Sequence, residues 1–177
     1  MDIHFHPWVG ANYGNSSLFG VPFLILGESH YEWKEGVDTP DLTRHLVAEE
    51  ANDEWSYPYF TRIYKIVIGK EPIAEGRKLF WNSVAYYNYI QQVVGTRARQ
   101  RPTWQMWQEA REPFIKMLQM IKPRCVLVLG EGLWKNLPRA TKVGPILQVY
   151  DERRDTRLYK TDADNLALVG RINHPAV

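Results

Sequence analysis

The stretch FLILGESHY, residues 23–31, constrains the fold of this chain more than any other. Its four consecutive apolar residues predict a strand that is covered on both faces, as strands in parallel sheets are. Gly27 permits a sharp turn and a close approach of the backbone to a ligand. Because ligands of open parallel sheets bind at the carboxyl ends of the strands, Glu28, Ser29 and His30 become candidate site residues. The alternative is that Gly27 only ends a strand and that an ordinary polar loop follows.

The same pattern recurs at CVLVLGEG, residues 125–132, where an apolar run again leads into glycine and glutamate. A helix is predicted to follow it as far as about Leu137. Further strands are predicted in FWNSVAYYNYIQ (Phe80–Gln91) and at Leu166–Arg171, and a hairpin is predicted to join Ile146–Tyr150 to Arg157–Thr161 over the turn DERRDT. Amphipathic spacing and capping residues predict helices at Thr39–Ala51, at Tyr59–Ile68 and from Thr103 to Ile121, the last with a kink at Pro113.

Strands that alternate with helices favour a parallel sheet with helical crossovers. The predicted fold is therefore a three-layer α/β/α domain with a central, mostly parallel, four-stranded sheet. The chain of 177 residues is long enough for one domain with a sizeable core, so residues 1–177 are assigned to a single domain.

The composition narrows the possible partners and cofactors. No apolar run approaches the length of about 18 residues that a membrane helix needs. MDIHFHPW lacks the features of a secretory signal, so we expect a cytoplasmic protein without a membrane partner. Cys125 is the single cysteine, which rules out an intramolecular disulfide and any cysteine-built zinc or iron-sulfur site. We therefore expect neither a metal nor a cofactor.

The charges are unevenly distributed along the sequence. Residues 1–60 contain ten Asp and Glu and two Lys and Arg, a net charge of −8, whereas the other 117 residues carry 20 Lys and Arg and ten Asp and Glu, a net charge of +10. A basic surface formed by the later part could face phosphates. The loop TRARQRPT, residues 96–103, holds Arg97, Arg99 and Arg101, which need either a phosphate or an acidic neighbour. The alternative is that the two parts of the chain neutralise each other.

If the strands are parallel, four groups of residues meet at one edge of the sheet: Glu28 to Tyr31, Asn88, Gly130 to Gly132, and Asn173 with His174. An asparagine amide donates and accepts hydrogen bonds together, which suits the edge of a nucleobase. A histidine or a carboxylate could stabilise a departing oxyanion or direct a water molecule. Between Trp55 and Tyr89 lie ten of the 23 aromatic residues, which could stack on bases or simply fill the core.

In this order along the chain, these segments resemble the motifs of the uracil-DNA glycosylase superfamily. GESHYE (residues 27–32) looks like its first strand-end loop, and VAYYNYIQ resembles its second strand, which ends in a base-recognising asparagine. RQRPT and KPRCVLVLG are similar to its arginine-proline segment and third strand. NHPAV (residues 173–177) looks like the histidine-proline motif that closes the site. The resemblance spans nearly the whole chain.

The resemblance implies a DNA glycosylase that hydrolyses the N-glycosidic bond of a flipped uracil, deaminated or otherwise modified base. Glu28 and Ser29 would position or activate the water, and His174 would bind the carbonyl of the leaving base. Asn88 would recognise the base edge, and Tyr31 would exclude bulky groups at the C5 position of the base.

The resemblance also implies DNA as the partner of a protein that we expect to be monomeric. Pro175 and Ala176 would follow the DNA backbone, and Arg97, Arg99 and Arg101 would contact phosphates. Some branches of the family hold an iron-sulfur cluster through four cysteines, and the single cysteine of this chain excludes such a cluster.

Two other functions are compatible with the sequence. GESHY matches four of the five positions of the G-x-S-x-G nucleophile elbow, which would make Ser29 the nucleophile of a serine hydrolase with His174 as its base. The second alternative is a non-catalytic nucleic-acid-binding module that keeps the glycosylase fold.

Overall fold

A computed structural model of the chain describes residues 2–14, 16–31, 38–95, 100–149 and 151–175. Its strands are β1 (Trp8–Val9), β2 (Phe23–Gly27), β3 (Ala85–Asn88), β4 (Cys125–Leu129), β5 (Lys142–Val143), β6 (Leu147–Val149), β7 (Glu152–Arg154), β8 (Arg157–Lys160) and β9 (Leu166–Ile172). Its helices are α1 (Leu42–Ala51), α2 (Pro58–Ile68), α3 (Ala74–Ser83), α4 (Trp104–Glu109), α5 (Arg111–Ile121) and α6 (Glu131–Asn136). Within these ranges, every helix is too short or too polar to cross a bilayer.

The main sheet has the strand order β1-β3-β2-β4-β9-β8-β5. Its four central strands, β3, β2, β4 and β9, are parallel, and the outer strands pair antiparallel at both edges. The protein is therefore a mixed α/β structure with a mostly parallel central sheet. Among the described residues this sheet has seven strands, so the predicted number of four is wrong. The predicted number included only the parallel strands. Strands β1 and β5 were not predicted because, with two residues each, they are too short to show a periodic sequence pattern.

Strand β2 is one of the central strands of the sheet, and both of its faces are covered by apolar side chains. Leu24 and Leu26 pack in a hydrophobic cluster with residues of α4, α5 and α6, and Ile25 packs in a second cluster with residues of α1, α2 and α3. Side chains of a strand alternate between the two faces of a sheet, so the two clusters cover opposite faces. Burial of each of these side chains stabilises the fold by about 1.5–3 kcal/mol.

Several predicted helices are confirmed with small changes at their ends. Helix α2 ends at Ile68, and Gly69 follows it in the left-handed conformation with a φ of 76°. Thr103 caps α4 by accepting a hydrogen bond of 3.3 Å from the backbone N–H of Met106. The predicted kink at Pro113 is a break between α4 and α5, which places the proline in the first turn of α5, where its missing N–H costs nothing.

Other elements differ from the sequence prediction. Helix α1 begins at Leu42, so Thr39 precedes the helix and does not cap it. Residues 80–83 belong to α3, and the strand of this segment is limited to Ala85–Asn88. Aromatic density suggested a strand there, but Phe80 and Trp81 are fully buried from the last turn of a helix. The predicted hairpin partners are also wrong, because β6 pairs with β7 inside the predicted turn, whereas β8 joins β9 in the main sheet.

His30 connects the residues after β2 to the α1 side of the core. The ring is buried, and its Nε2 atom lies 2.7 Å from Oγ1 of Thr43. The ring also meets the edge of Phe5 at a centroid distance of 4.8 Å. Burial lowers the pKa of His30 to about 4, although Asp38 acts in the opposite direction. The side chain is therefore neutral and structural near neutral pH.

This burial predicts a stability change on acidification. Between pH 6.5 and about 4 the unfolded chain binds a proton at His30 that the folded protein does not bind. The free energy of unfolding should therefore fall as the pH falls through this window, by up to about 1.4 kcal/mol per pH unit. In urea unfolding at several pH values, His30→Gln should remove much of this slope, whereas His45→Gln, at an exposed position, should keep it. Equal slopes for both variants would contradict the prediction.

Candidate functional site

The carboxyl ends of the four central strands meet at one edge of the sheet. Gly27 of β2 lies beside Asn88 of β3, and Leu129 of β4 lies beside Ile172 of β9. The chain places β3 on one side of β2 and then crosses to β4 on the other side. In open parallel sheets this reversal opens a crevice at the carboxyl edge, where ligands bind. The residues that follow these strands are therefore well placed to form one site.

Backbone hydrogen bonds extend beyond the ends of β2 and β3. The N–H of Tyr89 donates to the carbonyl of Gly27, and the N–H of Ile90 donates to that of Glu28, both at 2.9 Å. The carbonyl of His30 accepts a bond of 3.0 Å from Val94. These bonds continue the pairing of the two strands through the residues that carry Glu28 and His30.

Glu28 is a buried carboxylate beside a cation. Its side chain is 9% exposed, and its Oε1 atom lies 3.4 Å from Nη1 of Arg101, which is 67% exposed. Burial raises the pKa of Glu28, and the charge of Arg101 partly opposes this effect. A Cβ atom at Gly132 would lie 2.4 Å from Nη2 of Arg101, so the first turn of α6 borders this ion pair. The sequence analysis predicted that Arg101 needs either a phosphate or an acidic neighbour, and Glu28 is such an acidic neighbour.

Asn88 is held by two tyrosines. The hydroxyl of Tyr86 donates a hydrogen bond of 3.0 Å to Oδ1 of Asn88, and the hydroxyls of Tyr59 and Tyr86 interact in turn. A Cβ atom at Gly27 would lie 2.3 Å from both Asn88 Oδ1 and the Tyr86 hydroxyl, so only glycine fits there. With Oδ1 directed to Tyr86, the Nδ2 group has no acceptor within hydrogen-bond distance among the described residues. Asn88 can therefore donate this N–H to a ligand.

His174 follows β9 and packs against Tyr59. The centroids of the two rings are 5.7 Å apart and their planes are inclined by 31°. Gly130, which has a φ of 112°, also lies close to His174, because a Cβ atom built at Gly130 would be 3.3 Å from Cβ of His174. Burial lowers the pKa of His174, and the charge of Arg101 lowers it further. The imidazole is therefore mostly neutral at pH 7.

Tyr59 is the site residue that the sequence analysis missed. Its ring packs against His174, and its hydroxyl interacts with that of Tyr86, which binds Asn88. Burial raises the pKa of Tyr59, and Glu28 and Tyr31 act in the same direction. The sequence marked Tyr59 only as the start of a helix within an aromatic-rich segment. We call Glu28, Tyr59, Asn88, Arg101 and His174 the strand-end site.

The remaining predicted site residues are placed differently. Ser29 follows Glu28, but its Oγ atom is buried and has no hydrogen-bond partner within the described part of the chain. Tyr31 is half-buried and packs on the cluster of α4, α5 and α6, with an electrostatic effect on Tyr59. Pro175 is buried, and its contact with the DNA backbone stays a prediction. Arg97, Arg99 and Ala176 lie outside the described residues.

Two glycines of the site should respond differently to alanine. Gly27→Ala would force apart the buried Tyr86 and Asn88 side chains, so we expect a loss of about 1–3 kcal/mol in the free energy of unfolding. In Gly132→Ala the new Cβ atom would lie 2.4 Å from the exposed end of Arg101, which can move, and 3.6 Å from Oε2 of Glu28, an ordinary contact. Alanine also favours a helix by about 1 kcal/mol over glycine. The stability of this variant should therefore be unchanged or higher in denaturant unfolding. A stable Gly27→Ala protein would show that Asn88 is not held in this way.

The chain matches neither a protein-family model nor a curated protein. Across the described ranges, no group of three or more His, Cys, Asp or Glu side chains could hold a metal ion. The chemistry of the strand-end site is therefore the basis for a functional proposal.

Proposed function

We propose that the protein is a DNA glycosylase that hydrolyses the N-glycosidic bond of a flipped uracil, deaminated or otherwise modified base. The proposal rests on the meeting of Glu28, Asn88 and His174 at the carboxyl edge of one parallel sheet. We also infer a uracil-DNA glycosylase-like fold. Four parallel strands support that inference: VAYYNYIQ and KPRCVLVLG contain β3 and β4, and GESHYE and NHPAV begin where β2 and β9 end.

The site has groups that suit recognition of an extruded base. An enzyme that acts on a base must read it by its hydrogen-bonding edge and its ring face. Asn88 Nδ2 can donate to a base carbonyl, and its orientation is maintained by Tyr86 and Tyr59. Tyr31 is the aromatic residue proposed to border the base. The half-buried ring is anchored in the core, so it can act as a rigid wall.

The same site can stabilise the charges of bond cleavage. As the N-glycosidic bond breaks, negative charge develops on the base and positive charge on the sugar. The imidazole of His174 is mostly neutral and can donate an N–H to the base carbonyl that gains negative charge. The Glu28 carboxylate can orient a water molecule towards the sugar and stabilise its positive charge. Arg101 favours the ionised form of Glu28, which this role requires.

The geometry supports this mechanism over a serine hydrolase. A serine nucleophile needs a base within hydrogen-bond reach. The buried Oγ atom of Ser29 has no such partner among the described residues, and His174 packs instead against Tyr59. A non-catalytic binding module with the same residues would bind DNA without cleaving any base, and the cleavage and binding measurements below distinguish it from a glycosylase.

Substitutions in the strand-end site should slow cleavage without loss of DNA affinity. His174→Ala should lower the single-turnover rate by a factor of about 100 to 1000, as expected for the loss of one preorganised donor. Glu28→Gln should also slow the chemical step, and Ser29→Ala should have a smaller effect because no covalent intermediate forms. Cleavage should be measured on duplexes that contain uracil, hypoxanthine, xanthine or modified cytosines, with binding measured in parallel.

His45→Ala serves as the control, because His45 is exposed on α1. If Ser29→Ala abolishes turnover, or a serine-directed reagent labels Ser29 stoichiometrically, the glycosylase mechanism is wrong. Binding to these duplexes without cleavage of any base would favour the non-catalytic module.

The pH profile should depend on Arg101. The charge of Arg101 lowers the pKa of both Glu28 and His174. The mechanism needs an ionised Glu28 carboxylate and a neutral His174 imidazole. Arg101→Gln should therefore raise both pKa values and move the acidic limb of the rate profile to higher pH. We expect a shift of about half a pH unit because the guanidinium is largely exposed. Arg101→Lys keeps the charge and should keep the profile closer to that of the wild type. An acidic limb that does not move in Arg101→Gln would exclude this coupling.

A further inference from the structure

Trp104, the first residue of α4, exposes its indole ring to solvent. The residue is 77% exposed, a larger fraction than that of any other tryptophan in the described part of the chain. Trp107 lies one turn later on the same side of the helix, and its ring is buried against Tyr89 at a centroid distance of 5.9 Å. Trp104 thus continues this row of aromatic rings to the surface, where most of its own ring is uncovered.

Two side-chain contacts place Trp104 beside the strand-end site. Arg101, three residues before it, pairs with Glu28. Glu109, the last residue of α4, accepts a hydrogen bond from the side chain of Gln92. Because Glu28 and Gln92 follow β2 and β3, both ends of this segment lie at the carboxyl edge of the sheet. Trp104 lies between the two ends, and its Cα atom is at most about 11 Å from that of Arg101.

The start of α4 gives the indole a defined direction. Pro102 is buried, and Thr103 caps the helix by accepting a hydrogen bond from the N–H of Met106. Side chains of a helix lean towards its amino end, which in α4 is the end next to Arg101. The indole of Trp104 therefore leans towards the strand-end site and away from the body of α5.

We propose that Trp104 stacks on a base of single-stranded DNA, next to the nucleotide that the strand-end site holds. When one base is turned out of a strand, its neighbours lose a stacking partner, and an exposed indole beside the site supplies another flat face. Such stacking accepts any base, because every base has a π-face. Bases of a duplex cover each other's faces, so Trp104 favours unpaired nucleotides. The identity of the ligand rests on the proposed glycosylase function.

The test measures affinity by fluorescence anisotropy for two labelled single strands of equal length, oligothymidine and the same sugar-phosphate backbone without bases. Both are measured at one low salt concentration, because phosphate contacts depend on salt. Trp104→Ala should bind oligothymidine about tenfold more weakly and should bind the base-free strand as the wild type does, since only stacking on a base is lost. Trp104→Phe keeps an aromatic face and should lose less than about threefold for oligothymidine.

The matched control is Met120→Ala, which removes another large exposed apolar side chain. Met120 lies near the end of α5, just before β4 begins at the amino edge of the sheet, so this variant should bind both strands as the wild type does. Equal losses of Trp104→Ala for the two strands, or no loss, would overturn the proposal. So would a changed sedimentation coefficient of Trp104→Ala, which would assign the indole to a contact with a second copy of the chain.

Binding and cleavage separate this inference from the proposed function. If the wild type cleaves a base but Trp104→Ala binds oligothymidine unchanged, the stacking contact alone is rejected. If the loss in Trp104→Ala depends on the bases but the wild type cleaves none, the stacking contact is supported and the glycosylase is rejected. A wild type that binds oligothymidine no better than the base-free strand rejects the stacking contact, and cleavage of the modified duplexes then decides the glycosylase.

Discussion

The continuous backbone pairing between β2 and β3, and its extension past their ends, is the constraint on which the rest of the site depends. Carbonyls of Gly27, Glu28 and His30 accept hydrogen bonds from the segment after β3. A buried segment needs partners for its backbone polar groups, and these bonds supply them. They allow Glu28 and His30 to be buried in a region that would otherwise be an exposed loop. The side chains of Tyr86 and Asn88, which lie against position 27, in turn require glycine there.

The electrostatics of the site follow from burial more than from the number of charges. Burial favours the neutral forms of both Glu28 and His174. The charge of the exposed Arg101 acts against this effect of burial at the Glu28 carboxyl group and adds to it at the His174 imidazole. A single guanidinium thereby favours a carboxylate and a neutral imidazole in the same place. This pair of protonation states suits a reaction in which one group faces a developing cation and the other a developing anion.

The aromatic side chains between Trp55 and Tyr89 fall into two groups, those that fill the core and those that support the strand-end site. Phe60, Phe80, Trp81, Tyr87 and Tyr89 are buried, so most of the segment fills the core, as one of the two hypotheses from sequence held. Tyr59 and Tyr86 act differently because their hydroxyl groups reach the end of β3. They connect the aromatic core to Asn88, and Tyr59 also supports the ring of His174.

The sequence by itself determined the central strands, most of the helices and the edge at which polar residues gather. Apolar runs that end at glycine define β2 and β4 locally, because a strand buried on both faces needs no other signal. The placement of Glu28, Asn88 and His174 on one edge then follows from parallel pairing.

Only the tertiary structure decided which segments pair with each other at the sheet margins and which side chains meet in the site. Sequence periodicity reports that a segment is buried but not what covers it, so β8 was assigned to the wrong partner. Likewise, a charge pattern cannot show that Arg101 faces Glu28, which lies 73 positions earlier in the chain. No local sequence pattern predicts the contact between Tyr59 and His174 either. That contact depends on how α2 packs on the sheet that contains β9.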